Sequence, residues 1–380
     1  MNEARIYADG FATTFADTKE MLEFLANRGK NSQWIRKPTR MLRLIPLEKG
    51  ADKLKGTSGN SLDDILEDTE KNTNLLLKVN GQTYPVRNCA IQTILSRARV
   101  NGYGLRDLKT ETYARVVNDC LKVAKGDALI KIADGKVSAV HGGDEHDYSI
   151  LDMREIFATA SEYLQVHFKG SEYMEGSGIY DHSLVSATWI LGGSQELLDT
   201  YRNALKINGI EDHIEAPALR LTTSDVAASG ANLYPMLICE SASHTLSLGS
   251  PIKLAHDKGA TLTDFRNNLN LICTRYQDAV ANLTRLMEIE IRNPLNCLRL
   301  MMRKIRIKKK YINQVVELYE AQNGTGSCTA HDLYYAMNEA SFFGAGDGLP
   351  GHSIIKLEED ITRALVMDWK KFDVGGAIKW

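Results

Sequence analysis

The sequence predicts an α+β protein, with strands and helices mixed in the N-terminal two thirds of the chain and a helical C-terminal part. Two dipeptides, Asn80-Gly81 and Asp134-Gly135, stand between extended segments and are strong hairpin signals. Beyond Thr261 nearly every segment has helical periodicity. We therefore divide the chain into an N-terminal helix, strand and flexible loop at residues 1–60, an α+β domain at 61–258 and a helical region at 259–380.

Local signals in the first half of the chain predict its elements in order. Asp17 precedes apolar residues at helical spacing and Gly29 follows them, which predicts a helix over residues 17–29. Ser61, with Asp64 three residues later, predicts a capping box at the start of another helix. The other predicted elements are a strand at 41–47, a flexible loop at 48–60, hairpins at 75–86 and 128–140, and helices at 87–99, 110–125 and 152–163.

The second half is predicted to be strand-rich as far as Leu254 and helical beyond Thr261. Ser194 is expected to cap a helix that ends at Gly209, and Pro294 stands where proline opens a helix. The other predicted elements are two extended segments within 165–191, strands at 217–223, 233–239 and 245–254, one long helix at 264–291, and helices at 312–319, 331–342 and 354–369.

Composition limits the class of protein. The 380 residues are 43% hydrophobic and 25% charged, as in an ordinary globular protein. Residues 1–15 lack the apolar region of a signal peptide, and no segment approaches the ~18 uninterrupted apolar residues that span a bilayer. The six cysteines form no CxxC pair, which argues against a zinc ribbon or a disulfide framework. We therefore expect a cytoplasmic protein with reduced cysteines and no membrane partner.

The strongest indication of a partner is a basic window at residues 292–310, which contains eight cations and no carboxylate. A continuous helix would place five of the cations on one stripe, whereas a helix that ends near Lys304 would separate them into two patches. Either arrangement suits a polyanion; the alternative is a solvated helix face balanced by Glu288 and Glu290. The eight cations are Arg292, Arg299, Arg303, Lys304, Arg306, Lys308, Lys309 and Lys310.

A second basic window, residues 30–43, contains five cations and no carboxylate. Because the chain has a formal net charge of −2, the part that lies outside the eight and five cations of the two windows carries −15. Such polarity commonly accompanies nucleic-acid binding. Trp34 either stacks on an unpaired base or packs in the core. We predict nucleic-acid contacts from Trp34 and from four of the cations, namely Arg36, Lys37, Arg40 and Arg43.

No motif of an established enzyme class occurs in the sequence. Residues 141–147 gather His141, Asp144, Glu145 and His146, which could hold a metal, but their spacing matches no zinc or two-metal signature. Residues 222–230 form a small-residue loop that could present N–H groups to a phosphate, without the GxxxxGK[ST] or GxGxxG pattern. We therefore assign no catalytic residue, no cofactor and no metal, and we favour a non-enzymatic protein.

Several short segments share the pattern of one family. They are Val86-Arg87-Asn88, Lys136-Val-Ser-Ala-Val140, Leu221-Thr-Thr-Ser-Asp225 with Ser229-Gly230-Ala231, Thr329-Ala-His-Asp-Leu-Tyr334, and Trp369-Lys-Lys-Phe-Asp373 with Lys379-Trp380. Together they resemble the phage- and plasmid-like protein family built on a domain of unknown function. The resemblance covers most of the chain from about Leu75 onward. It implies a gene of a phage, prophage or plasmid in a bacterial host, and it brings no activity or catalytic residue.

These observations lead us to expect a nucleic-acid-binding protein of a mobile element. The leading hypothesis is binding or annealing of single-stranded DNA during recombination or replication, because annealing needs a basic groove and oligomerisation, here as a homo-oligomer, rather than a catalytic site. One alternative is a non-enzymatic protein that binds and inhibits a host defence factor. The other is a metal-dependent enzyme that uses residues 141–147.

Overall fold

Three antiparallel sheets, one short two-stranded pair and twelve helices organise the described residues. The computed structural model describes residues 6–54, 60–144, 146–239 and 245–378. With 49% helix and 23% strand, it confirms the predicted α+β class. None of the described helices is long and apolar enough to cross a membrane.

The first half of the chain alternates between strand and helix. Its elements are β1 (Ala12–Phe15), α1 (Thr18–Lys30), β2 (Ser32–Pro38), β3 (Arg43–Pro46), α2 (Leu62–Lys71), β4 (Leu75–Val79), β5 (Gln82–Pro85), α3 (Asn88–Ala98), α4 (Thr110–Val123), β6 (Asp127–Ala133) and β7 (Lys136–Gly142). One sheet has the order β2-β6-β7 and a second has the order β3-β4-β5. Both predicted hairpins are confirmed, and Asn80-Gly81 and Asp134-Gly135 have the positive φ angles of tight two-residue turns.

The two small sheets share the first hydrophobic core with α3 and α4. Leu77 and Ile130 on the strands and Ile94 and Val117 on the helices are all buried in it. Helix α2 begins with the predicted capping box, in which Ser61 and Asp64 each accept a hydrogen bond from the backbone N–H of the other. Within the predicted loop at 48–60, residues 51–53 form a short 3-10 turn, and residues 55–59 lie outside the described residues.

The second half forms the large sheet and the C-terminal helices. Its elements are α5 (Met153–His167), β8 (Ser171–Tyr173), β9 (Gly178–Asp181), β10 (Val185–Leu191), α6 (Asp199–Ile207), β11 (Ile214–Thr223), β12 (Ala231–Cys239), β13 (Thr245–Ser247), β14 (Ile252–Leu254), α7 (Leu262–Leu269), α8 (Ile272–Arg285), β15 (Glu290–Ile291), α9 (Pro294–Lys304), α10 (Lys309–Asn323), β16 (Cys328–Thr329), α11 (Ala330–Gly346) and α12 (Gly351–Thr362). The large antiparallel sheet has the order β1-β9-β10-β11-β12-β13, with β8 beside β10 and β14 beside β12.

The large sheet and the C-terminal helices share the second, larger core. It extends in sequence from Phe15 on β1 to Trp369, and α1 joins it through Met21 and Phe24. Strand β1 and helix α1 therefore pack with the second half of the chain, although the first core lies between them in sequence. The domain boundaries at 60 and 258 stay predictions.

The predicted long helix over residues 264–291 is wrong. Helix α7 ends at Leu269 and α8 begins at Ile272, and the Leu271 N–H donates to the Asn268 carbonyl at 3.0 Å in the turn between them. Asparagine and β-branched residues are poor helix formers, and Leu269 and Ile272 are both fully buried on the two sides of the break. Packing in the second core therefore favours two helices, and the sequence periodicity does not reveal the change of axis.

Four other features differ from the prediction. Helix α5 continues to His167, because the next residue, Phe168, is buried in the second core and its N–H still donates to the Leu164 carbonyl at 2.8 Å. The remaining part of 165–191 forms three strands rather than two extended segments. Ser194 makes no side-chain cap, since a 3-10 turn that buries Leu198 precedes α6. The last predicted helix is shorter and is followed by 3-10 turns.

A buried charge network connects the two cores. Arg87, fully buried at the start of α3, donates to the Tyr7 carbonyl at 2.9 Å and lies 3.3 Å from Asp9. Lys136 Nζ lies 2.9 Å from the same Asp9 carboxylate and also contacts Asp68. Arg28 on α1 contacts Asp134 in the β6–β7 turn, which lies 3.6 Å from Arg87. Three cations thus meet three carboxylates; the network comprises Asp9, Arg28, Asp68, Arg87, Asp134 and Lys136.

Candidate nucleic-acid interface

The basic window at 292–310 forms α9, a turn and the start of α10. Helix α9 ends at Lys304, so the continuous helix is wrong and the alternative with two patches is confirmed. The apolar side of α9, including Leu298 and Met302, is fully buried in the second core. Every cation of the window except the half-buried Arg299 is therefore exposed. We call residues 304–310, which join the two helices, the basic turn.

The backbone of the basic turn is held by a Schellman motif. The Ile307 N–H donates to the Met302 carbonyl at 3.0 Å, and the Arg306 N–H donates to the Arg303 carbonyl at 3.1 Å. Ile307 and Met302 are both buried, which supplies the apolar contact that accompanies this motif. The side chains of the basic turn therefore project from a fixed backbone.

Arg306 occupies the left-handed position of this motif, with φ of +69°. Glycine is the usual residue there, because a side chain in this conformation costs roughly 1–2 kcal/mol. The same motif ends α3, where Arg99 has φ of +55° and the Val100 N–H donates to the Leu95 carbonyl at 3.0 Å. Arg306 and Arg99 thus have the same local geometry in two different parts of the molecule.

The start of α10 concentrates three lysines where a helix least favours cations. Lys308 is the N-cap residue, and Lys309 and Lys310 are the first two helical residues. No side chain caps this end and no acidic residue stands in its first turn. The partial positive charge of a helix N-terminus repels cations and attracts anions, and its first N–H groups lack partners within the helix. The basic turn is therefore well suited to a phosphate group.

Carboxylates compensate only part of the basic window. Lys310 lies 2.6 Å from Asp347, which follows α11, and this hydrogen bond holds the pKa of that carboxyl below its usual value. Glu290 reaches Arg292 at 3.8 Å, an exposed pair that contributes little. Lys304 and Arg306 have no carboxylate within ion-pair distance in the part of the chain that the structure describes. Of the predicted balancing by the upstream glutamates, the structure shows the contact between Glu290 and Arg292.

An exposed aromatic ring lies on the helix that contacts the basic turn. Phe342 on α11 is 59% exposed and meets the ring of Phe343 at 6.3 Å. It precedes Asp347 by five residues, which corresponds to about 7.5 Å along a helix axis. Sequence analysis did not select Phe342, because one aromatic residue in an apolar helix gives no sign of its exposure.

The second basic window belongs to the first core. Arg36 and Lys37 lie on β2, Arg40 lies in the 3-10 turn after it, and Arg43 begins β3. The Arg43 guanidinium donates to the Arg40 and Leu42 carbonyls, both at 2.7 Å, and so holds its own turn together. Arg36 and Arg40 are exposed.

Trp34 is half-buried against aromatic side chains. Its ring lies 5.9 Å from His141 and 5.7 Å from Tyr148, and the Lys131 ammonium lies 5.6 Å from it. Trp34 was predicted either to stack on an unpaired base or to pack in the core, and the rings that it contacts in this structure belong to the protein itself.

The residues of the predicted metal cluster do not converge. His141 is buried and its Nε2 donates to the Asp225 carbonyl at 2.9 Å, whereas Asp144, His146 and Asp147 are exposed. Burial, with the neighbouring His256, lowers the pKa of His141 to about 3, so its ring is neutral at pH 7. No three His, Cys, Asp or Glu side chains come together as metal ligands within the described residues, from which Glu145 is absent.

Three segments instead form a stack of rings at the end of β7. Tyr148 is parallel to His141, with the centroids 3.7 Å apart, and to His256 at 5.5 Å. His256 also lies 3.1 Å from the Thr223 hydroxyl, so the small-residue loop at 222–230 is attached to the same stack. Tyr148 and His256 were not selected from the sequence, since only the fold brings them beside His141. The three stacked rings thus connect the three chain segments to which they belong.

Some residues that carry the family resemblance have structural roles. Arg87 and Lys136 belong to the buried charge network, Asp225 contacts Lys131, and Trp369 is fully buried. Lys379 and Trp380 lie outside the described residues. No family model, curated protein or solved structure matches this chain. The resemblance therefore stays a prediction that rests on those segments.

Proposed function

We propose that this protein binds nucleic acid through the basic turn and that single-stranded DNA is its substrate. The observation that carries the proposal is the arginine at the left-handed position of the turn, next to three lysines at a helix N-terminus. A bound phosphate group would be attracted both by the lysines and by the positive end of the helix dipole, and the left-handed turn holds the Arg306 backbone beside them. Residues in strained backbone positions commonly serve a ligand.

The exposed Phe342 supports a preference for single strands. Unpaired bases stack on aromatic side chains, whereas bases inside a duplex present only their edges. A phosphate-binding turn with an aromatic ring on the adjoining helix is the combination that proteins use to bind single strands. The absence of sequence motifs for catalysis accords with this non-enzymatic role, and the origin from a phage or plasmid remains part of the proposal.

The first test is fluorescence anisotropy with a labelled oligonucleotide, single-stranded or duplex, across a salt series. Changing Lys304, Arg306 and Lys308 together to glutamate should weaken binding at least a hundredfold at low salt. It should also flatten the log–log salt dependence by about 2, since each lost phosphate contact on a single strand contributes about 0.7.

The matched control changes three exposed lysines outside both basic windows, Lys78, Lys169 and Lys206, to glutamate. This variant undergoes the same change of net charge as the test variant. If both variants lose the same affinity, binding follows net charge alone and the assignment to the basic turn is wrong. If neither variant changes the affinity, the phosphates are bound elsewhere.

A further inference from the structure

A cavity of about 580 Å³ lies between α3, α4 and the segment that joins them. Half of its lining residues are apolar or aromatic and the other half are polar residues and a glycine, and the 3-10 turn at Tyr103–Asp107 forms one side of it. The apolar lining residues are Leu75, Ile91, Leu95, Val100, Leu105, Leu108 and Tyr113. A cavity of this size is typical of small-molecule sites.

One lining residue has an unsatisfied polar group. The Tyr113 hydroxyl is buried and makes no hydrogen bond with any described residue. Such a group costs free energy in a folded protein and is a sign of an absent partner. The hydroxyl is covered in this structure, so a ligand would reach it only when the lining of the cavity shifts. Gly102 and Gly104, which have no side chains to obstruct that shift, stand in the segment that joins α3 and α4.

The cavity also has a single charged lining residue, Arg106. Arg106 is exposed, no carboxylate lines the cavity, and no carboxylate of the described chain forms an ion pair with it. A ligand with a negative charge would therefore find one cation and meet no repulsion. The other polar lining side chains are neutral amides and hydroxyls: Thr73, Asn88, Gln92, Asn101 and Thr110.

We infer that the cavity binds a small amphiphilic carboxylate, with its apolar body among the leucines and its carboxylate between Arg106 and the Tyr113 hydroxyl. A charge-assisted pair with arginine and a hydrogen bond from tyrosine would satisfy both groups. The inference is independent of the proposed DNA binding, because the cavity belongs to the first core and the basic turn packs on the second.

The test is isothermal titration of the full chain with octanoate, 1-octanol, octylamine and thymidine monophosphate. Octanoate should bind most tightly, and octylamine should bind least because it places an ammonium beside Arg106. Arg106→Gln and Tyr113→Phe should each weaken octanoate about tenfold or more, since each removes a hydrogen bond to a charged group. Binding of 1-octanol should not change in Arg106→Gln.

Thermal unfolding without ligand distinguishes this site from a structural role. Tyr113→Phe should unfold at the same temperature as the wild type or higher, because the lost hydroxyl had no partner. Arg115→Gln, an exposed position on α4 outside the cavity lining, is the matched control and should bind octanoate normally. Equal binding of octylamine, tighter binding of the nucleotide, or octanoate affinity that neither cavity variant changes would overturn the inference.

Discussion

The buried charge network and the basic turn use the same kinds of side chain in opposite ways. In the network, Arg87 and Lys136 have at most 1% of their side chains exposed, and both contact the Asp9 carboxylate. In the basic turn, Lys304 and Arg306 are exposed and meet no carboxylate among the described residues. A buried cation must be compensated within the fold, whereas an exposed uncompensated cation is available to a ligand. The environment therefore distinguishes the two roles, and the local density of charge does not.

The largest effect should come from breaking the buried charge network. Lys136→Met leaves Asp9 and Asp68 with one cation fewer, and an uncompensated buried charge typically costs about 3–5 kcal/mol. Urea unfolding measures the loss. Lys304→Met, the same substitution in the basic turn, should change the free energy of unfolding by no more than about 0.5 kcal/mol. Equal losses in the two variants would remove the distinction between the two regions.

The ring stack differs from the buried charge network in how it accommodates a titratable side chain. His141 is buried as a neutral ring, whereas the buried cations of the network are paired with carboxylates. The pKa of His141 is lowered to about 3 from 6.5. Between these values the unfolded chain takes up a proton that the folded chain does not, so stability falls as the pH falls below 6.5. By pH 5 this histidine should cost about 2 kcal/mol.

Comparing urea unfolding at pH 7 and pH 5 tests this contribution. His141→Asn cannot titrate, so its stability should fall by about 2 kcal/mol less than that of the wild type over this interval. The change with pH is the informative quantity, because the substitution also removes the stacking on Tyr148. A parallel loss in both proteins would show that His141 is protonated in the folded state.

The smallest expected effect is on the affinity for single-stranded DNA when the exposed ring of Phe342 is removed. Phe342→Ala should weaken binding of single-stranded DNA about tenfold, within the ~1–3 kcal/mol that base stacking on an aromatic ring provides, and should leave duplex binding unchanged. Anisotropy with both oligonucleotides measures this. Ile207→Ala, at a residue that is 84% exposed on α6, is the control for loss of a surface apolar side chain. Equal weakening of both DNA forms would show that Phe342 does not read unpaired bases.

Much of the fold was predictable because helix caps and tight turns depend on residues that are close together in the sequence. Capping at Asp17 and Ser61 and the hairpin turn at Asn80-Gly81 depend only on neighbouring residues, and all were predicted. The break between Leu269 and Ile272 could not be predicted, because it depends on packing in the second core. Periodicity reports which residues are buried and does not report whether the helix axis is continuous.

The candidate site was only partly predictable for the same reason. The basic window follows from composition, and the end of α9 near Lys304 was one of two predicted arrangements. The left-handed Arg306 could not be foreseen, since glycine is the residue that normally signals that position. The pairing of Lys310 with Asp347 spans 37 residues and depends on the fold.

The most direct test of the account compares Arg306→Gly with Arg99→Gly. Each substitution removes one arginine from the same left-handed position, so each should raise the free energy of unfolding by about 1 kcal/mol. Only Arg306→Gly should weaken binding of single-stranded DNA, with a log–log salt slope lower by about 0.7. If Arg306→Gly is more stable than the wild type and binds single-stranded DNA more weakly, the left-handed arginine contributes to binding at the expense of stability. Unchanged binding in Arg306→Gly, or equal weakening in Arg99→Gly, would contradict the account.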